Sequence, residues 1–339
     1  MNRRPTIKDV AARARVAPGT VSKVMNGDTR VHPVIRSAVE EAIRALDYHP
    51  SPIARNLRRG RSGIIGFVVS DIVSPTWAPL LPQMQQLTRK AGYALLIMDS
   101  GLDAEIESRN IELLSSMRVD GIVWNPLWPL APQPPHLVAG LPLVTMPFVQ
   151  GWEVPNVYVN MDDATLAGLD DLLQRGHKRI AFITMRLVAG NRGTLMDALH
   201  ERIGKAGGAL VSDSSWNFIS RQECLQAMPA KLKGEGRPTA LLVAAPLLEP
   251  VLCVLRDVGL KIPRDISVIA LASSELAVAY DPPINAVEFP TTELAAEAVR
   301  ILLEQIAGSE GPPAPMSYQS EYVVRGSVAS PPASRPTNG

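Results

Sequence analysis

From Ile64 to about Val328, short apolar runs of strand length alternate with amphipathic stretches of helical period. This alternation restricts the fold more than any other feature of the chain. Strands are expected at 64–70, 93–99, 121–124, 143–146, 157–160, 179–184, 239–244, 267–271 and 318–324. Helices are expected at 80–91, 105–117, 162–174, 193–205, 249–258 and 293–306. Strand and helix in turn imply parallel sheets joined by right-handed crossovers. These strands are too many for one compact sheet here, so two similar α/β subdomains with a ligand cleft between them are expected.

The first 62 residues differ in kind. They hold 13 Lys and Arg against 5 Asp and Glu, whereas the rest of the chain holds 21 against 28. A small basic module ahead of a larger acidic body is the electrostatic footprint of nucleic-acid binding. The module also carries helix signals. Thr6 and Asp9 are spaced as a capping box, and Ile7, Val10, Ala11 and Ala14 follow at helical spacing. After a break at 15–17, Pro18 suits the first position of a second helix, with Val21, Val24 and Met25 inward and Asn26-Gly27 ending it. A third helix after His32-Pro33 is expected to bury Ile35, Val39, Ala42, Ile43 and Leu46. Three short helices, the first two joined by a tight turn, make a helix-turn-helix arrangement.

Between the two parts lies P-S-P-I-A-R-N-L-R-R-G-R-S-G, residues 50–63. Ser51 and Pro52 form a helix start. Leu57 stands among Arg55, Arg58, Arg59 and Arg61. A helix of about two turns is too short to be stable alone in water.

The run T-I-K-D-V-A, then V-A-P-G-T-V-S-K-V-M-N-G, then A-I-R-A-L-D-Y-H-P-S-P-I-A-R-N-L resembles the N-terminal signature of the LacI/GalR family of bacterial transcription regulators. The resemblance implies a helix-turn-helix domain at 1–49, a hinge helix at 50–62 and an effector-binding, dimerising domain at 63–328. A disordered tail at 329–339 follows. It places Pro18, Gly19 and Lys23 at the base-reading positions, with Lys23 able to donate to guanine O6 and N7. Thr6, Thr20, Ser22 and Asn26 fall at phosphate or backbone positions. Leu57 matches the residue that wedges into the minor groove and bends the duplex. Ala54 would permit close approach of two hinge helices, and Arg55 would lie near phosphates. Two departures stand out: Arg15 where a turn Gly is usual, and Ala17 where the cap is usually Ser or Thr.

The resemblance continues through I-G-F-V-V-S-D-I-V-S-P, V-D-G-I-V, G-H-K-R-I-A-F-I and V-G-L-K-I-P-R-D-I-S-V-I-A, which are similar to landmarks of the family's effector domain. It implies a periplasmic-binding-protein-like domain of two doubly wound parallel-sheet subdomains, crossed near 160, 290 and 319. Effector contacts are carried over to Trp77, Arg192 and Trp216, although ordinary core packing explains each tryptophan equally well. Asn160-Met161, Ala245-Pro246 and Ala272 stand where relatives carry polar or acidic side chains. A neutral hexose therefore fits poorly. With Arg192, and Arg186 beside it in sequence, a sugar acid, another anion or an amphipathic aromatic fits better than a plain sugar-like ligand.

The expected protein is a dimeric, effector-controlled repressor binding a palindromic double-stranded operator. A ligand-insensitive regulator, an activator or a cytosolic small-molecule binding protein stand as alternatives. No G-x-S-x-G, H-E-x-x-H, P-loop or G-x-G-x-x-G motif supports catalysis, and no cofactor is implied. Cys224 and Cys253 lie far apart without metal-ligand spacing. M-N-R-R-P-T is followed by no apolar h-region, and no apolar run reaches spanning length. A cytoplasmic location without membrane attachment is expected. The tail holds no leucine heptads, so nothing points to a tetramer.

Overall fold

A computed structural model of the 339-residue chain describes residues 5–25, 27–48, 61–77, 79–127, 138, 140–146, 152, 154–185, 193–211, 216–234, 236–271, 277–309 and 315–332. Contacts divide the chain into two units, Met1–Gly63 and Ile64–Gly339.

The first unit holds α1 (Ile7–Ala14), α2 (Pro18–Met25) and α3 (Pro33–Ala45). At the start of α1 the Asp9 carboxylate accepts from both the backbone N–H and the hydroxyl of Thr6, each at 2.7 Å. Arg15 ends α1 with φ 55°, and the Val16 N–H returns to the Ala11 carbonyl at 3.0 Å. Glycine adopts that left-handed conformation freely, whereas a residue with a Cβ is strained by about 1 kcal/mol. α2 starts without a side-chain cap: only the Ala17 carbonyl receives the N–H groups of Thr20 and Val21. Val10, Ala11, Val21, Val24, Val39 and Ala42 form the core. The expected inward position of Ile35 is corrected, since Ile35 is 37% and Val34 70% exposed. The apolar stripe of α3 is covered only from Val39 onward.

The second unit starts with β1 (Ile64–Val69), α4 (Leu80–Lys90), β2 (Ala94–Asp99), α5 (Ala104–Ser116), β3 (Gly121–Trp124) and β4 (Leu143–Thr145). Their strands form a parallel sheet ordered β2-β1-β3-β4. The I-I-G-F-V-V run of β1 is apolar at nearly every position because helices cover both faces. Ile65, Phe67 and Val69 face one core and Val68 the other, the two-residue period of a strand. Gly66 allows α5 to approach, since a Cβ there would lie 2.7 Å from a Leu114 methyl.

β5 (Val157–Asn160) leads into α6 (Asp162–Gln174), β6 (Arg179–Met185), α7 (Gly193–Lys205), β7 (Ala209–Leu210), β8 (Asn217–Phe218) and α8 (Arg221–Lys231). β9 (Ala240–Ala244), α9 (Ala245–Asp257), β10 (Ser267–Leu271) and β11 (Asn285–Glu288) follow. α10 (Thr291–Ile306) returns to the first sheet, placing Leu294, Ala298, Ile301 and Leu302 in the core under β1. β12 (Met316–Gln319) pairs in parallel with β5, and β13 (Glu321–Val323) ends the second sheet, antiparallel to β11. That sheet runs β13-β11-β10-β9-β6-β7, with β8 beside β6. Two cores flank it, one under α8 and α9 and one under α6 and α7.

Several elements depart from expectation. The expected strand at 318–324 is two strands broken at Ser320, whose hydroxyl donates to the Asn160 carbonyl at 2.9 Å. α9 starts at Ala245 rather than at 249, because Pro246 rather than Pro250 occupies its first turn. α8 carries Pro229 and no clear apolar period, and β7 and β8 are two residues each, too short to register as runs. The expected disordered tail is corrected at its start. The His177 Nε2 lies 2.8 Å from the Ala329 carbonyl, and the Ala329 N–H donates to the Ser267 hydroxyl at 3.1 Å. Residues 333–339 lie outside the described residues.

Candidate functional site

Two surfaces of chemical interest lie in separate units. In the first unit α2 buries Val21 and Val24, and this rotation leaves Pro18, Gly19 and Lys23 exposed on one flank, with Thr20 and Ser22 half-buried. Thr6 is exposed at the start of α1. Gly19 meets nothing within 4 Å where a Cβ would stand, so the N-terminal turn of α2 presents bare backbone. Past the C-terminal end of α2 the Asp28 carboxylate accepts two bonds from the Arg30 guanidinium, each at 2.9 Å, which hold its pKa down at about 2. Lys23 is thus an exposed cation at the end of an otherwise uncharged helix. Asn26, Ala54, Arg55 and Leu57 lie outside the described residues.

In the second unit a cavity of about 300 Å³ opens at the carboxyl ends of the strands of both sheets. Open α/β folds place ligands at this position because the strand ends and their loops converge there. Ser70 follows β1, Asn125 follows β3 and Met146 follows β4. Thr184 and Met185 end β6, Leu271 ends β10, and Phe289 follows β11. Tyr158 and Met161 come from the connecting segment and Leu294 from α10.

The lining is mostly apolar, and none of its described side chains carries a charge. Trp77 stands in it edge-on to Phe67, ring centroids 5.5 Å apart at 76°. The Asn125 amide ties the floor together. Its Oδ1 accepts from the Ser70 hydroxyl at 2.5 Å, and its Nδ2 donates to the Met146 carbonyl at 2.6 Å. The Ser74 hydroxyl lies 3.3 Å from that of Thr76. Thr184 is 2% exposed, and its hydroxyl has no hydrogen-bond partner among the described residues. Charge collects outside the lining. Burial pushes the Asp71 carboxyl up from its ordinary value, Asp99 adds to this, and Arg221, paired with Glu249, opposes it.

Of the three effector contacts expected from sequence, two are among the described residues, and of these Trp77 lies in this cavity. Trp216 is not among the described lining; it packs in the core beside α8, and Lys231 Nζ lies 5.6 Å from its ring centre. Arg192, Arg186 and Ala272 lie outside the described residues. Ala245 and Pro246 do line the cavity and bring no side-chain donor or acceptor to it. Trp124 packs against Trp152 at 5.1 Å on the opposite face of the sheet and donates to the Glu107 carboxylate at 2.9 Å. Sequence reading missed Thr184, Met146 and Phe289. The available signal was their place at the last residue of a strand or just beyond it. His177, read as a structural turn, is buried between Thr239, Ser267 and Ala329.

Three family descriptions match successive parts of the chain. Residues 6–51 match the lacI family of bacterial regulatory proteins. Residues 62–202 match the periplasmic binding proteins and sugar binding domain of the LacI family, and residues 169–328 a periplasmic binding protein-like domain. The HTH-type transcriptional repressor PurR of Aliivibrio salmonicida is 28% identical over 336 residues, covering 95% of this chain and 98% of the relative. The HTH-type transcriptional repressor CytR of Escherichia coli is 27% identical over 335 residues, covering 95% and 96%. Among solved structures, the Lac repressor dimer bound to operator and the anti-inducer ONPF superposes with a TM-score of 0.78. It is 22% identical and covers 96% of this chain and 100% of its own. These relatives are repressors rather than enzymes.

Proposed function

The chain belongs to the LacI family of bacterial regulatory proteins, and from that premise we propose that it is a transcriptional repressor binding a palindromic operator as a homodimer. Like its relatives it is a regulator and not an enzyme. The observation that carries the proposal is the orientation of α2, which turns its valines inward and Pro18, Gly19 and Lys23 outward. The second helix of such a module enters the major groove with its N-terminal residues on base edges. Lys23 donates to guanine. Gly19 lets the backbone approach closely, and Thr6, Thr20, Ser22 and Asn26 hold phosphates.

Ala54, Arg55 and Leu57 complete the reading. Paired hinge helices place Leu57 between base steps of the minor groove, Ala54 permits their close approach, and Arg55 meets phosphate. The dimer follows from the palindrome, because two-fold protein symmetry mirrors two half-sites. The captured Lac repressor dimer on its operator supports this. A small-molecule effector occupies the cleft of the second unit and biases the separation of its two sheets, and thereby the spacing of the DNA-reading modules. Arg192 would favour an anion such as a sugar acid over a sugar-like ligand, whereas the described lining favours an uncharged one. Among the described residues no helix is long and apolar enough to cross a membrane; a repressor of this kind acts in the cytoplasm, where its operator lies.

Gel-shift titration of the full-length protein against fragmented genomic DNA tests the reading. Saturable binding to a palindrome, falling steeply with salt, is expected. Weak binding of equal strength to all fragments would overturn it.

A further inference from the structure

We propose that Arg30, between α2 and α3, is a second guanine-reading side chain of the operator contact, and that Asp28 is the positioning residue that aims it. This rests on the reading of α2 as the DNA-reading helix. The first observation is how Asp28 is fixed. Its N–H donates to the Lys23 carbonyl at 3.0 Å, and its own carbonyl accepts from Arg36 Nη2 of α3 at 2.7 Å. Asp28 is thereby tied to both helices, and whatever it holds keeps a set place relative to α2.

The second observation is what it holds. The Asp28 carboxylate accepts from Arg30 Nε and Nη2, each at 2.9 Å, and Oδ1 also takes the Arg30 backbone N–H at 3.1 Å. Three bonds to one carboxylate leave the guanidinium little freedom, yet the Arg30 side chain is 86% exposed. An ion pair this exposed adds little to stability, so the fold itself gives no reason for it. A planar fork held out in solvent does serve recognition, because it loses little further freedom when a partner arrives.

The third observation decides between base and phosphate. Asp28 occupies the side of the fork made by Nε and Nη2. Among the described residues nothing occupies its end, where an N–H of Nη1 and the second N–H of Nη2 run parallel. Two such donors match guanine O6 and N7. A phosphate is drawn chiefly by net charge, and the Arg30–Asp28 pair has none. The Asp28 carboxylate, kept ionised by Arg30 and by the nearby charge of Lys23, would also repel it.

Selection of duplexes from a randomised library by the full-length protein, then titration of the selected palindrome at several salt concentrations, tests the proposal. Arg30→Lys keeps the charge and removes the fork. Guanine at one symmetric pair of positions should lose about tenfold of its preference over other bases, while the salt slope stays. Asp28→Ala releases the fork and uncovers its charge. Binding to unrelated duplexes should then tighten and fall more steeply with salt, by about 0.9 in slope per protomer, while the guanine preference drops. A pair with only a structural role would not move affinity and preference in opposite directions. Melting curves confirm that each variant is folded.

A guanine preference unchanged by Arg30→Lys overturns the proposal. A sharper preference in Asp28→Ala also overturns it, because Asp28 would then compete with the base instead of aiming the fork. Asp28→Asn combined with Arg30→Met removes both charges together; equal weakening of all sequences with a shallower salt slope would make Arg30 a phosphate contact. If the unaltered protein selects no palindrome, the reading of α2 falls and Arg30 with it. A selected palindrome whose base preferences all survive these substitutions removes Arg30 alone.

Discussion

The helix-turn-helix unit and the α/β body manage their chemistry in opposite ways. Among the described residues the small unit rests on six buried apolar side chains, all within 10–42, and displays its candidate contacts on an open helix face. The body buries four clusters and gathers its candidate contacts from residues as distant as Ser70 and Leu294 into one apolar cleft. An exposed reading face can be built from neighbours in sequence, because it needs only a helix turned the right way. A cleft that excludes water needs walls from many elements, and its composition is set by the fold as a whole.

The sharpest way to break this contrast is to damage one part and watch the other. Phe182 is 2% exposed within the core under α6 and α7. Phe182→Ala should cost the body about 3–5 kcal/mol through lost burial and the cavity left behind. Two-transition calorimetry should show the larger transition falling in temperature while the smaller stays. A joint shift of both would mean that the two units unfold as one.

A second large effect is expected at Glu107, a carboxylate buried behind the sheet and pushed up from its ordinary pKa by that burial. It accepts from Trp124 Nε1 and from the Leu127 N–H, each at 2.9 Å. Glu107→Ala leaves both donors without it and should destabilise the body by about 2–3 kcal/mol. Denaturant unfolding followed by tryptophan fluorescence measures this. Among the described residues of the small unit no carboxylate is buried, so operator affinity at temperatures below the transition should be unchanged.

Lys23→Ala tests the other side. Discrimination at one symmetric pair of base positions should fall by about 1–3 kcal/mol, while the melting temperatures of both transitions stay. Binding to a randomised operator library reads the base preference. An unaltered preference would leave Lys23 an ordinary solvated lysine.

Legibility from sequence follows the same division. The helices of the small unit were readable because caps, prolines and apolar spacing act over three or four residues; only Ile35 misled, its spacing being right but its turn uncovered. In the body, long apolar runs such as 64–69 and 267–271 announced buried parallel strands and hence the fold class. Which residues close the cleft was not readable, since Trp77 and Trp216 look alike in sequence and both are buried in a core cluster, while only the packing sets Trp77 against the described cavity. Thr184 looks like any strand threonine until the empty space beside it is seen.

Arg15→Gly sharpens the comparison at smaller scale. Arg15 holds φ 55° at the turn between α1 and α2, and glycine there should raise the stability of the small unit by about 1 kcal/mol, offset in part by its greater freedom when unfolded. Ala17→Ser, supplying the missing cap of α2, should add a similar amount. The smaller transition should rise in temperature and the larger stay. No gain from either substitution would mean that the turn is already relaxed by contacts with the arginine stem.

The smallest effect separates the units by pH. Burial holds the His177 imidazole below the usual histidine range, between Thr239, Ser267 and the Ala329 carbonyl. The unfolded chain binds the proton more readily, so stability is full above the ordinary histidine pKa, about 6.5. It falls as pH drops from there towards the depressed folded value, by at most one proton's worth, about 1.4 kcal/mol per pH unit. His177→Gln should remove that dependence from the body. A body whose acid sensitivity survives the substitution would show that another group carries it, and that the contact between His177 and Ala329 holds the end of the chain in place without setting its response to acid.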